Sequence, residues 1–276
     1  LFCAESLCRG HNKAARRNGL EKEVKRVKMI VAYDGTNYKG WQVQPNGETI
    51  EGVLNRTLSS LLGEKIIVTG ASRTDAGVHS MGNVAVFDTK SRIPAEKISY
   101  ALNQRLPEDI VVQKSEEVPA DFHPRHCDSR KTYEYRILNR RFPDPTRRLY
   151  SFFYHYPLDV EKMQEAAGYL VGEHDFKSFC SQKTKVLSTV RTIYSLELIE
   201  EGDIVTLRVS GNGFLYNMVR IMAGTLIDVG RGKLRAEDVP AIIESRDRER
   251  AGFTAPPQGL YLKSVEYPDL DGGTSV

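Results

Sequence analysis

The fold class this sequence predicts is α+β, built as two successive units of the split βαβ, ferredoxin-like type. Three observations carry it. Apolar spacing over residues 27–118 switches between strand and helix periods in the order β-α-β-β-α-β. Residues 131–267 repeat that order loosely, which suggests an internal duplication. The composition is 40% hydrophobic, 27% charged and 9% aromatic over 276 residues, ordinary for a globular chain long enough for two modest domains.

Each element has its own signal. Residues 27–34 (VKMIVAYD) read as a strand. Thr49 caps a helix whose face carries Ile50, Val53, Leu54, Leu58, Leu61 and Leu62, and Gly63 ends it. Lys65–Gly70 is β-branched and strand-like, a turn-rich loop follows, and Asn83–Asp88 is another strand. Pro94 opens a helix with Ile98, Ala101, Leu102 and Leu106 in its stripe, and Asp109–Val118 completes the first unit. In the second unit Lys131–Leu138 alternates as a strand, with a short extra strand at Ser151–His155. A helix follows over Asp159–Val171, then a hairpin of Val190–Ile199 and Ile204–Ser210 around Glu201-Gly202-Asp203. Helices over Leu215–Val229 and Ala236–Ser245 and a strand over Gly259–Tyr267 close the chain. The boundary falls near Pro119, giving units over 26–119 and 120–268 between flexible tails at 1–25 and 269–276.

Composition also excludes classes. The longest uninterrupted apolar run, Met29–Tyr33, is far short of the roughly 20 residues of a membrane helix. Four cysteines are too few for a disulfide framework and read as reduced thiols of a cytosolic protein. The first two dozen residues lack the apolar core of a signal peptide. Residues 6–20 are basic and free of acids like a transit peptide, but short of serine and apolar residues. The net charge of +3 is misleading: residues 1–28 hold eight Lys and Arg against three acids, leaving the remainder at 31 basic and 33 acidic. A body that binds nucleic acid must then concentrate its charge locally. Residues 122–150 do so, with Arg125, Arg130, Lys131, Arg136, Arg140, Arg141, Arg147 and Arg148 against Asp128, Glu134 and Asp144. A solvated loop face has the same signature.

Few residues could carry chemistry. The loop SRTDAGVH at 72–79 lies between two strands. Its Asp75, with Arg73 two residues away, can be held ionised and oriented as a nucleophile or base. A turn aspartate bonded to its own backbone looks the same. Tyr133 and Tyr135 lie in phase on one strand beside Arg130 and Lys131, a pattern that suits base stacking and phosphate contact, or simply a sheet face. Arg220 sits inside the apolar helix FLYNMVRIMAGTLIDV and needs a carboxylate partner or a route to solvent; Asp75 is the candidate. His123, His126 and Cys127 lack a second ligand pair at zinc-like spacing, and no phosphate-binding GxxxxGK[ST] loop or GxSxG elbow is present.

With these residues in view, the sequence resembles the tRNA pseudouridine synthase A family. RTDAGVH at 73–79 looks like its signature loop. YDGTNYKGWQ (33–42), DFHPRHCDSRKTYEY (121–135), GEHDFKSF (172–179), NMVRIMAGTLIDVG (217–230) and GLYL (259–262) resemble its other blocks in the family order. The resemblance covers about residues 26–268. It implies an isomerase that converts uridine to pseudouridine at positions 38, 39 and 40 of the tRNA anticodon stem-loop. It also implies two ferredoxin-like halves sharing a continuous, mostly antiparallel sheet with helices behind and a central basic cleft. A cytoplasmic homodimer with no metal and no organic cofactor is implied as well. Position by position, Asp75 matches the catalytic aspartate, Arg73 its motif arginine, Tyr133 the active-site tyrosine, Arg220 the arginine paired with the aspartate, and Leu260 an apolar active-site residue. Arg140, Arg141, Arg147 and Arg148 are expected to border the cleft and bind RNA. Two other classes stay open: an RNA-binding protein without catalysis on the same fold, and a hydrolase that pairs Asp75 with His79.

Overall fold

The structure, a computed structural model, describes residues 23–181 and 186–268; of the tail expected over 1–25, residues 1–22 with Cys3 and Cys8 lie outside the described residues, as does 269–276, while Lys25 already belongs to the first strand. Alternation of Val27, Met29, Val31 and Tyr33 makes β1 (Lys25–Tyr33). In α1 (Ile50–Leu62) the Thr49 hydroxyl accepts from the Gly52 amide, and Gly63 terminates the helix in the left-handed region at φ 68°. The strand expected over Lys65–Gly70 shrinks to β2 (Thr69–Gly70). The backbone before it bonds to the helix instead: Ile66 N donates to Ser59 Oγ and Val68 N to Asn55 Oδ1. Then come β3 (His79–Thr89), α2 (Ala95–Asn103) and β4 (Ile110–Val118).

The second unit contains β5 (Arg130–Asn139), β6 (Phe152–Tyr154), α3 (Val160–Gly168), β7 (Gly172–Asp175), β8 (Val190–Glu201), β9 (Ile204–Gly211), α4 (Met218–Gly230), α5 (Val239–Ser245) and β10 (Leu260–Glu266). The helix expected to reach Val171 stops at Gly168, and the edge strand β7 was not anticipated, since GEHD has no apolar alternation. Expected from Leu215, α4 starts three residues later because Asn217 takes a left-handed conformation, φ 64° and ψ 5°.

Among the described residues ten strands form one mostly antiparallel sheet in the order β4-β1-β3-β10-β5-β9-β8-β7, with β2 on β3 and β6 on β5. The last strand is the seam. β10 runs parallel to β3 through Tyr261↔His79 and Leu262↔Ser80, and antiparallel to β5, with Leu260↔Tyr135 and Leu262↔Tyr133. One core packs α1 and α2 with Val27, Met29, Ala85 and Phe87; a larger one packs α3, α4 and α5 with Tyr135, Leu207, Val209 and Leu262. Among the described residues no helix is long and apolar enough to cross a membrane.

Candidate active site

Asp75 lies on the loop between β2 and β3, and β1 with the chain after it holds that loop. Trp41 N donates to Thr74 O at 3.0 Å, Gly77 N to Tyr38 O at 3.3 Å, and the Tyr33 and Thr74 hydroxyls share a 2.8 Å hydrogen bond. Asn83 clasps Ser72 through both its amide and its carbonyl. The two chains touch so closely at Gly35 that a Cβ there would lie 1.9 Å from the Val78 carbonyl oxygen. Only glycine fits that approach.

Arg220 reaches this loop from the first turn of α4, where every other residue from Met218 to Gly230 is buried. Its Nη1 lies 3.1 Å from Asp75 Oδ2. The same nitrogen donates to Asn217 Oδ1 at 2.9 Å, and Nε donates to the Ala255 carbonyl at 2.7 Å. The segment that carries this carbonyl lies tight against α4: Ala255 N donates to Arg220 O at 3.1 Å, and a Cβ on Gly224 would sit 1.9 Å from Phe253 O. The guanidinium is thus fixed at three points, and its charge is aimed at one carboxylate. Burial nevertheless holds the Asp75 carboxyl above its ordinary range, with Arg220 offsetting part of the shift.

Above the pair opens a cavity of about 970 Å³, at the upper end of the ~300–1,000 Å³ usual for ligand clefts. Tyr133, Phe214, Leu215 and Leu260 give it an apolar wall, and Lys39, Arg73, Arg125 and Lys131 give it charge. Tyr133 packs edge-on to Phe214 with centroids 4.9 Å apart. Its hydroxyl is pushed up to about 12, chiefly by burial, with Ser72 opposing and the Asp75 charge adding. Near neutral pH it is therefore a hydrogen-bond donor, not a tyrosinate.

Of the residues singled out from sequence, Asp75, Arg73, Tyr133 and Leu260 line this cavity and Arg220 braces it from below. Arg73 is exposed and forms no ion pair with Asp75; the carboxylate's partner is Arg220 alone among the described residues. Arg140, Arg141, Arg147 and Arg148 do not line the cavity. They follow the far end of β5, about 20 Å of strand from Tyr133. Arg140 pairs with Asp203 at 3.2 Å, Arg147 with Asp144 at 3.5 Å, and Arg148 donates to Pro145 O. A charge run spread along one strand and its loop cannot all face one cavity. His79 is not beside Asp75 either. Its ring stacks on Tyr261, its Nδ1 accepts from Gly35 N, and its Nε2 lies 3.0 Å from Leu149 O. Burial lowers its pKa against the pull of Asp34, and both ring nitrogens are committed to neighbours other than Asp75. That removes the ground for an Asp75–His79 hydrolase. His123 and His126 stack on each other, centroids 3.9 Å apart, and among the described residues no three His, Cys, Asp or Glu side chains converge as a metal site.

Sequence reasoning missed Asn217, whose signal was its place three residues before Arg220 at a helix start, and Gly35, whose signal was its place just after β1. It had Arg125 only as a member of a charge run, and Lys131 as a member of that run and as a basic neighbour of Tyr133 on its strand.

The chain, a continuous and mostly antiparallel sheet with an arginine-braced carboxylate beside a cavity, has known relatives. The family model described as tRNA pseudouridine synthase matches residues 29–126 and 166–268, and the chain belongs to that family, isomerases that act on uridine in tRNA. More particularly, it is similar to proteins named tRNA pseudouridine synthase A. The one from Ruminiclostridium cellulolyticum is 51% identical over 245 residues, that from Acetivibrio thermocellus 50% over 244, and that from Thermoanaerobacter sp. (strain X514) 48% over 244. In each case 88% of this chain and 100% of the relative are covered.

Proposed function

We propose that this protein makes pseudouridine at positions 38, 39 and 40 of the tRNA anticodon stem-loop, with Asp75 as the catalytic carboxylate. The observation that carries the reading is the Asp75–Arg220 ion pair at a cavity that Asp75 lines together with Tyr133 and Leu260. The reaction breaks the N1–C1′ bond, turns the base, and joins C5 to C1′; C5 loses a proton and N1 gains one. Atoms balance within the nucleoside, so the chemistry calls for neither an oxidant nor a group donor. A carboxylate serves each available route: attack at C1′, attack at C6, or removal of the C2′ proton. All three require Asp75 ionised, which Arg220 favours and burial opposes.

The uridine must leave its stack to reach Asp75, at a cost of a few kcal/mol. Tyr133 offers a ring face in compensation, Leu260 closes the apolar side, and Arg73 at the rim adds charge toward the RNA backbone. Around this site we read residues 26–119 and 120–268 as two split βαβ halves facing a central basic cleft. The strand orders support that reading: β4-β1-β3 with β2 on one side of the β3–β10 junction, β10-β5-β9-β8 on the other. The working form is a cytoplasmic homodimer without metal or organic cofactor.

Tritium release from C5-labelled uridine in unmodified tRNA tests the reading, with tRNAs carrying cytidine at 38, 39 or 40 locating the target. Release from wild type, confined to those positions and absent from Asp75→Asn, is the expected result. Undiminished release from the triple-cytidine tRNA would overturn the position assignment. Turnover by Asp75→Asn within about tenfold of wild type, a barrier change of only ~1.4 kcal/mol, would overturn the carboxylate assignment.

A further inference from the structure

We propose that Lys131, Arg125 and Arg73 form a phosphodiester cradle that holds the RNA backbone in fixed register with Asp75, an inference that rests on the cavity being the uridine site. All three line the same cavity as Asp75. Two of them hang on the chain that becomes the Asp75 loop: Arg125 Nε donates to Gly70 O at 2.7 Å, and Lys131 Nζ to Ala71 O at 3.3 Å. One donor of each is thus spent four or five residues before Asp75. Two donors of the ammonium and four of the Arg125 guanidinium are left.

The electrostatics around them point to a missing anion. Several partly buried cations elsewhere have acids: Lys28 has Glu116 at 2.8 Å, Arg220 has Asp75, and Arg208 has Glu134 at 3.0 Å, while Arg248 is held by the Gly252 carbonyl and the Thr254 hydroxyl instead. Among the described residues no carboxylate forms an ion pair with Lys131, Arg125 or Arg73, nor with the neighbouring Arg191. Glu51, the acid that favours the Arg125 charge, has one oxygen committed to the Val43 amide at 2.8 Å. Burial lowers the Lys131 pKa, and Arg125 and Arg191 lower it further; burial and Arg73 do the same to Arg125. A group of like charges without counter-charge opposes folding of the empty protein. A bound anion reverses that sign. The anion that arrives with a uridine in this cavity is the phosphodiester of its own strand. Held on the Gly70 and Ala71 side, it fixes how far the nucleotide lies from Asp75.

A structural lysine and a phosphate ligand respond oppositely to Lys131→Met. Removing an uncompensated cation should leave the melting temperature of the RNA-free protein unchanged or raise it by a few degrees. In titrations with unmodified tRNA the log–log salt slope should fall by about 0.7 to 0.9, one phosphate contact, and affinity near physiological salt should drop roughly fivefold. Arg125→Gln should lower the slope by a similar amount, its melting temperature being read alongside because it also gives up the Nε bond to the Gly70 carbonyl, and Lys131→Arg should restore the slope that Lys131→Met loses. Millimolar inorganic phosphate should protect wild type against heat more than Lys131→Met. Phosphate protection without any change in the tRNA slope would assign the site to a free anion and overturn the RNA assignment. A Lys131→Met protein that melts several degrees lower with an unchanged slope would overturn the cradle altogether. These binding measurements do not depend on turnover. A wild type that releases no tritium but loses slope in both variants would keep the cradle and lose the uridine reading.

Discussion

Asp75 and Glu134 are both carboxylates pressed against arginine, and they shift in opposite directions. Glu134, on β5 next to Tyr133, is only 3% exposed, yet its pKa falls. Burial is the largest single influence and acts upward, but Arg208, Lys263 and Arg136 together outweigh it. Arg208 Nε and Nη2 lie 3.1 and 3.0 Å from Oε1, and Arg136 Nη2 lies 3.2 Å from Oε2. Asp75 has one guanidinium, and that guanidinium divides its Nη1 with Asn217. Burial wins there. The difference lies in how many donors each carboxylate meets. Glu134 has its charge saturated and serves the sheet; Asp75 is left under-compensated, a state suited to a group that must react.

Linkage gives the two residues opposite pH signatures. Glu134, with its folded pKa depressed, contributes stability that is present above the ordinary glutamate range and lost as pH falls through its lower folded value. Asp75, with its folded pKa raised, is a burden when ionised, and the burden is relieved as pH falls through that raised value. The largest expected effect follows. Asp75→Asn should abolish tritium release, a loss of at least about a thousandfold or ~4 kcal/mol in the barrier, while melting no lower than wild type at pH 8. Glu134→Gln should do the reverse: turnover at saturating tRNA within a few-fold of wild type, and a stability loss of about 1–2 kcal/mol, reduced from the buried-pair range because its arginines are 30–40% exposed. Denaturant titrations of both variants at pH 5 and pH 8 decide it. If the two lose stability alike, the contrast is broken.

A smaller effect concerns Arg220. Its removal takes away the influence that opposes burial, so the Asp75 carboxyl should rise further. In Arg220→Ala the acid limb of the kcat/KM profile should move to higher pH, with the plateau falling roughly a hundredfold from lost orientation. Arg220→Lys should restore part of the limb. An unmoved limb in Arg220→Ala would mean that Asp75 is not the titrating group.

Smaller again is Asn217, which meets two demands at once: a left-handed backbone and an acceptor for Arg220. Glycine meets the first alone and alanine neither. Asn217→Gly should hold stability within ~0.5 kcal/mol but show the shifted acid limb in muted form, whereas Asn217→Ala should lose roughly 1–2 kcal/mol more. Equal melting of the two would show that the backbone conformation carries no cost. The smallest effect belongs to the four arginines beyond β5. Neutralising Arg140, Arg141, Arg147 and Arg148 together should change the tRNA salt slope less than Lys131→Met alone. A larger drop would move the RNA path toward that end of the sheet.

Strand and helix order was legible because Val27–Val31 alternates at period two and Ile50–Leu58 at three and four, and burial follows those periods. Thr49 and Gly63 marked their ends because capping is local chemistry. What local chemistry cannot report is pairing over distance. Lys65–Val68 looked like a strand because its residues are β-branched, but Ser59 and Asn55 claimed its amides first. The placement of β10 between β3 and β5 has no signature in GLYLKSVE. In the candidate site, the Arg220–Asp75 pair was legible because a lone arginine in an apolar helix must find an acid. The braces were not, because the Ala255 carbonyl that holds Arg220 and the Gly70 carbonyl that holds Arg125 are backbone groups, invisible to residue type.

The seam strand has a temporal consequence. Ser80 Oγ donates to Leu262 O across 182 residues of chain, and Leu260 supplies a cavity wall opposite a loop that is translated long before it. During synthesis the Asp75 loop can dock on Tyr33, Tyr38 and Trp41 as soon as β3 is made. The Leu260 part of the apolar wall and the lock between the two halves of the sheet then wait for β10. The loop that carries Asp75 can therefore form before Arg220 and Leu260 exist, and the cavity is completed around it only once β10 has been made.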